Sequence, residues 1–311
     1  MLAEYALIPD VFDPASYASA EACDRHLCEL KDGIIARGLV RNLHGGGWWR
    51  FVEQHRDRWD KRGRELLKKL RQQGRLSDAT GCAVNAPETA MAWCAEALAS
   101  HEQVPLSGII SDETTAAECA PNDLVAPVSK LTEQTWWMSG KNSIELKRTT
   151  HDYVEALGPT LRHSNSIWFI DPHLDPTRPD YRSFTELLRA CGPRRPAARI
   201  QIHRVCYSGS GLGRQIITND VWENRFRSAL GLVVREADLL VEVFFWDDFH
   251  DRYLISNLIG ILMPNGFDTE AEQPMTRWAR LDRDHRDSVQ REFDQPSSRH
   301  KLRHHFSIMT P

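Results

Sequence analysis

The sequence has no run of about 20 uninterrupted apolar residues, so hydropathy excludes a membrane-spanning helix. It has no CxxC pair, and its seven cysteines, Cys23, Cys28, Cys82, Cys94, Cys119, Cys191 and Cys206, are an odd number and widely scattered. That pattern fits small buried residues and argues against a structural zinc site or a disulfide framework, so neither metal nor cofactor is expected. The opening stretch MLAEYALIPDVFDP has no basic segment ahead of an apolar core. No secretory leader is therefore expected, and the expected location is cytoplasmic. Internal repeats and low-complexity tracts are also missing. The run of three glycines at Gly45-Gly46-Gly47 lacks the Lys-Ser/Thr ending of a P-loop, and no strong strand precedes it. It reads as a plain loop, with phosphate cradling by backbone N–H groups as the minor alternative.

What is present is an ordinary folded composition, 41% hydrophobic and 26% charged over 311 residues, enough for one large or two ordinary domains. Ten tryptophans are many for this length and include the doublets Trp48-Trp49 and Trp136-Trp137. The net charge of -4 hides an asymmetry. Residues 37–75 hold twelve Lys/Arg against four Asp/Glu, a local +8 that leaves -12 elsewhere. Local basicity inside an acidic chain points to a polyanion partner. The expected carrier is a helix over Arg58 to Gln73, with Trp59, Leu66, Leu67 and Leu70 on one side and Arg62, Arg64, Lys68, Lys69 and Arg71 on the other. A solvated charged face is the plain reading of that helix, and nucleic acid is the partner it would suit.

Periodicity divides the rest. Residues 1–18 read as a lead-in arm, and helices are expected over Ser19 to Arg37 and Glu88 to His101. Residues 1–140 are thus expected to form a mainly helical N-terminal domain, with a boundary near 138–143. Beyond it, a helix from Ser143 is followed by strands at Ile167–Ile170, Arg199–Val205 and Val241–Trp246, separated by helices. Strand, helix, strand, helix, strand predicts an α/β domain over 141–311 with a mixed, mostly parallel sheet flanked by helices. Phe306 to Ile308 is expected as an edge strand.

The stretch from Val241 to Asp268 organises this second domain. His250-Asp251-Arg252-Tyr253 stands at the entrance of a segment, Phe249 to Ile255, that reads as extended. Alternation would then put His250 and Arg252 on one face. An imidazole beside a guanidinium suits an anionic oxygen, with phosphate the usual choice. Together with Ile167-Trp168-Phe169-Ile170-Asp171-Pro172, Ile200-Gln201-Ile202-His203 and Gly266-Phe267-Asp268, the order resembles the phospholipase D-like superfamily. It is most similar to the phospholipase D-like C-terminal domain of MIT-domain proteins, over about residues 165–270. The superfamily motif is His-x-Lys-x4-Asp; here it is His250-x-Arg252-x4-Asn257, with Arg for Lys and Asn for Asp.

The resemblance implies phosphodiester chemistry that needs no metal. His250 would attack phosphorus, Arg252 would hold the non-bridging oxygens, and Asn257, Asp171, His203 and Asp268 would orient or protonate. It also implies two such motifs per site, whereas this chain has one. Two chains would share a site as a homodimer or within a larger complex, or His203 would supply the second imidazole, or the site would be inactive. Two functions follow. One is a metal-independent nuclease, with antiviral defence as the setting by analogy. The other is a non-catalytic binding or scaffold module for nucleic acid, a phosphate ligand or a protein partner. A pocket filled by an Asp171–Arg252 pair would favour the module.

Overall fold

The structure is a computed structural model describing residues 1–138, 142–194, 196–209, 211–269 and 274–308. The chain is α/β, as its pattern predicts, and divides into two compact units, Leu2–Lys141 and Asn142–Pro311. Of the expected boundary segment, Ser139, Gly140 and Lys141 lie outside the described residues.

In the first unit, β1 (Ala3–Leu7), β2 (Gly38–Asn42), β3 (Leu76–Asp78), β4 (Gly108–Ser111) and β5 (Val125–Pro127) form a parallel sheet in the order β3-β2-β1-β4-β5. Around it run α1 (Ala20–Arg37), α2 (Leu43–Gln54), α3 (Lys61–Gln72), α4 (Ala90–Gln103), α5 (Glu113–Glu118) and α6 (Thr135–Met138). Helices hold most of these residues, but they are arranged around a sheet. The expected lead-in arm contains β1, whose Tyr5, Ala6 and Leu7 are fully buried. Strand β2 is masked in the sequence by Arg41. Its guanidinium grips Glu4 of β1 through both carboxylate oxygens at 3.0 and 2.7 Å, and also reaches the Ser100 and Val104 carbonyls. A buried charge is tolerated when its partner and its hydrogen bonds are all supplied.

Helix α1 is as the sequence predicts. Ser19 caps it through the Ala22 N–H, and Cys23, Leu27, Leu30 and Ile34 face the core. The three glycines fall within the span of α2, but the backbone at its head is non-helical, a tight turn in keeping with the expected loop. His44, Gly45 and Gly46 all take left-handed backbone, with φ of 55, 55 and 81°.

In the second unit the chain runs β6 (Ser143–Lys147), α7 (Thr150–His163), β7 (Ser166–Ile170), α8 (Phe184–Cys191) and β8 (Arg199–Val205). A short hairpin, β9 (Tyr207–Ser208) and β10 (Gln215–Ile216), precedes α9 (Asn219–Glu236) and β11 (Leu240–Trp246). Then follow β12 (Tyr253–Ser256), β13 (Gly260–Leu262), β14 (Met275–Arg280), α10 (Arg283–Glu292) and β15 (Leu302–Ile308). The sheet order is β15-β11-β8-β7-β12-β13-β14-β6. Its centre, β7-β8-β11, is parallel and carries the βαβ crossovers. Every other pairing in it is antiparallel, because residues 253–280 return as successive hairpins. Part of the expected helix at Ser143 is strand β6, and α7 begins only after the Thr149 cap.

One buried cation fixes the carboxyl ends of the central strands. Arg204 donates to the carbonyls of Val205, Leu174 and Tyr207 at 2.8–2.9 Å and lies 3.6 Å from the Trp222 ring centroid. Burial pushes its guanidinium down to about 10. The residues after β7 are thereby tied to the end of β8, where the candidate site lies.

Candidate functional site

Asp171 follows β7 directly. Its N–H bonds the His203 carbonyl and extends the ladder by one rung. Its carboxylate is fully buried and well partnered. Oδ1 accepts from the His173 N–H at 2.9 Å, and Oδ2 accepts from the Tyr181 hydroxyl and the Phe267 N–H, both at 3.1 Å. Arg252 Nε lies 3.5 Å from Oδ1, while Arg252 Nη1 donates to the Pro264 carbonyl at 3.1 Å. Burial, reinforced by the neighbouring Asp171, raises the Tyr181 phenol well above its ordinary value, so it stays a donor. His173 is pushed down, first by burial and then by the cations Arg252, Arg204 and Arg178, against the pull of Asp171. Gly266 completes the knot. Its φ is +69°, and a Cβ there would collide with Oδ2 and come within 2.8 Å of the Asp171 Cγ and 2.9 Å of the Arg252 Cδ.

The sequence candidates separate in space. Asp171 and Arg252 are brought together. His250 is exposed in the connection between β11 and β12 and makes no hydrogen bond among the described residues. The expected strand over Phe249 to Ile255 begins only at Tyr253, so alternation does not place His250 beside Arg252. Asn257 does not belong to this site. It accepts from the N–H groups of Asn165 and Ser166, at the start of β7. Asp171 lies past the other end of that strand, about 15 Å away at the usual strand rise. His203 is also withdrawn as a second catalytic imidazole. It is fully buried, stacked on Phe244 and Trp246, with Nδ1 accepting from the Trp246 indole and Nε2 against Gln201 Oε1. Burial drives it down to about 3, so it is neutral. Asp268 is ion-paired with the buried Arg148 instead of meeting Arg252. Gly266 stands in the Gly266-Phe267-Asp268 motif piece, whereas His173, Tyr181 and Arg148 were not offered as site residues by sequence. The available signals were the Asp-Pro-His turn and the Asn-Gly pair.

The basic face of α3 also divides. Arg62 is paired with Asp24 and Glu65, and Lys69 with Glu65. Arg64, Lys68 and Arg71 instead border a groove between α2 and α3 of about 280 Å³, with Arg56 and Trp49 on its far wall. The Arg71 guanidinium lies 5.7 Å from the Trp49 ring centroid. Glu53 is the one carboxylate in that wall and contacts Arg56 at 3.7 Å. Among the described residues no three His, Cys, Asp or Glu side chains converge as a metal site, and no helix is long and apolar enough to cross a membrane.

No family model matches the chain, and no curated protein matches it. Among solved structures it is similar to polyphosphate kinase from Porphyromonas gingivalis, at 14% identity and a TM-score of 0.31, over 49% of this chain and 25% of the kinase. Polyphosphate kinase belongs to the phospholipase D-like superfamily. The chain is also similar to TrmBL2, an archaeal chromatin protein with a novel mode of DNA binding, at 10% identity and a TM-score of 0.28, over 51% of each chain. Likenesses this slight carry no argument about fold or function.

Proposed function

We propose that the protein binds nucleic acid through the groove between α2 and α3, and that its second unit is a phospholipase D-like module without turnover. The observation that carries the first part is the set of Arg64, Lys68 and Arg71 around Trp49, a row of cations beside an aromatic face. Cations neutralise backbone phosphates and an indole offers a base a stacking surface. The second part is supported by Asp171. It already holds three hydrogen bonds and the Arg252 contact, so the guanidinium faces a carboxylate where a phosphate would need it.

The test is fluorescence anisotropy with labelled single- and double-stranded DNA and RNA across a salt series. Lys68→Glu and Arg64→Glu should each weaken binding and lower the salt slope by about 1. Unchanged affinity in both would remove the groove from the account.

A second reading rests on His250, which is exposed and free of hydrogen bonds among the described residues. Two copies facing each other would supply the paired imidazoles of a metal-independent nuclease, of the kind that serves antiviral defence. Cleavage in EDTA that vanishes in His250→Ala would establish that reading over the module.

A further inference from the structure

A second cavity in the first unit lies on the opposite side of α2 and has no part in the groove. It measures about 630 Å³ and is walled by α2, residues 86–88 and the start of α4. His44, Arg50 and His55 line it, with Glu88 at its edge and Trp93 in its wall.

His44 is placed there at a cost. Its φ of 55° is left-handed backbone, which costs a side chain-bearing residue about 1–2 kcal/mol, although three glycines able to take that conformation freely follow it. The ring is fitted between Gly47 and Gly81. A Cβ on either would come within 3.1 or 3.0 Å of it. Its Nδ1 stands 3.6 Å from Glu96 Oε1. Glu96 is itself buried and held by the N–H groups of Cys82 at 2.7 Å and Ala83 at 2.8 Å. Nδ1 is thus buried against the Glu96 carboxylate without a hydrogen bond, and Nε2 has none either among the described residues. A strained residue kept rigid by its surroundings is a mark of a working site.

The other polar side chains of the lining are held as well. Arg50 Nη1 donates to the Gly45 carbonyl at 3.2 Å, which keeps its guanidinium over the loop. His55 Nδ1 lies 2.9 Å from the Phe51 carbonyl, so that nitrogen carries the proton and Nε2 is left for a ligand. Arg58 also lines the cavity but is engaged by Asp10 at 2.7 Å and Asp13 at 2.5 Å.

We propose that this cavity binds a phosphate monoester. A monoester carries nearly two charges near neutral pH and three acceptor oxygens. The Arg50 guanidinium supplies fixed positive charge and donors, and the His44 and His55 rings each add an Nε2 that donates in the imidazolium form; Glu88 in the lining and Glu96 behind His44 are the opposing carboxylates. A monoester differs from a diester in its second charge and its third free oxygen, and it is these that a guanidinium and two imidazoles around one cavity can meet. The proposal is independent of the groove.

The experiment is equilibrium dialysis of the full chain with inorganic phosphate, AMP, adenosine and a 5′-phosphorylated oligonucleotide. His44→Asn removes the imidazole while keeping a residue that tolerates left-handed backbone. Arg50→Gln removes the guanidinium, Lys61→Gln, exposed and outside both sites, is the control, and Lys68→Glu removes a groove cation. Phosphate and AMP should bind saturably and adenosine should not. Either cavity variant should weaken AMP by about tenfold to a hundredfold, with circular dichroism and the control unchanged. Tighter binding of the oligonucleotide than of AMP, retained in Lys68→Glu, would identify a nucleic-acid end as the natural source; the reverse would identify a free nucleotide. No phosphate or AMP binding, or binding indifferent to both cavity variants, overturns the proposal.

Discussion

Gly266→Ala should be among the most damaging single-methyl changes in the second unit. At φ +69° the new side chain meets left-handed backbone, at about 1–2 kcal/mol. The methyl also lands on the Asp171 carboxylate, with the Arg252 Cδ at 2.9 Å on its other flank. Neither neighbour is the free end of a flexible chain. Asp171 is fully buried and Arg252 is tied to Pro264. Moving the carboxylate strands the Tyr181 hydroxyl and the Phe267 N–H, each worth about 1–3 kcal/mol when left unmet inside a protein. The sum is about 3–8 kcal/mol, or roughly 10–30 °C in the melting of a unit this size. Gly192→Ala is the matched control. Its φ is +63°, yet a Cβ there meets nothing within 4 Å, so only the backbone cost of about 1–2 kcal/mol applies. Scanning calorimetry of both variants separates backbone strain from steric displacement. Equal losses would show that Asp171 does not occupy the space beside Gly266.

Three further outcomes are expected. His203, driven down to about 3 by burial, is neutral when folded, whereas its unfolded form titrates near 6.5. The stability due to this difference is complete above pH 6.5 and is lost as the pH falls from there toward 3. Near pH 5 the loss is about 2 kcal/mol. Urea melts at about pH 7 and pH 5 should show it in the wild type and not in His203→Gln, which keeps an acceptor for Trp246. His250→Ala should change stability by less than about 0.5 kcal/mol, since the ring is exposed and unbonded; a larger loss would show that it holds structure. Cys94, pushed up to about 12 by burial and then by Cys119, should resist alkylation near pH 8 far longer than a free exposed thiol, read by mass spectrometry.

The legible parts of the fold were those where one pattern dominates. The strand expected over Arg199–Val205 has those same bounds, and the Val241–Trp246 run differs by one residue, because a central strand buried on both faces is a short continuous apolar run. Helix α1 was legible from its stripe and its Ser19 cap. The parallel sheet of the first unit was not, because its strands carry their own compensations. The charge of Arg41 interrupts β2 and is cancelled by Glu4 one strand away, a pairing between residues 37 positions apart in the chain. Strand β6 was hidden in another way. Glu145, Leu146 and Lys147 favour helix locally, yet edge pairing with β14 decides the outcome, and Ile144 and Leu146 do alternate.

The same distinction between local and distant information governs the site. Motif order identified Asp171 and Arg252, because both lie at strand ends that the pattern fixes. The family resemblance grouped His250, Asn257, His203 and Asp268 with them, and motif order does not decide which strand end or which face each residue occupies. Residues one strand-length apart sit at opposite edges, as Asn257 and Asp171 do across β7. A neighbour on an adjacent strand can face the core, as His203 does. What converges on Asp171 instead comes from turns, namely His173, Tyr181 and Gly266–Phe267, supplied largely by backbone N–H groups. Backbone donors leave almost no trace in residue type, apart from the glycine that lets them approach. A buried carboxylate satisfied in this way is a rigid hub. It accounts for the fixed position of Arg252, whose guanidinium is held between the Asp171 carboxylate and the Pro264 carbonyl.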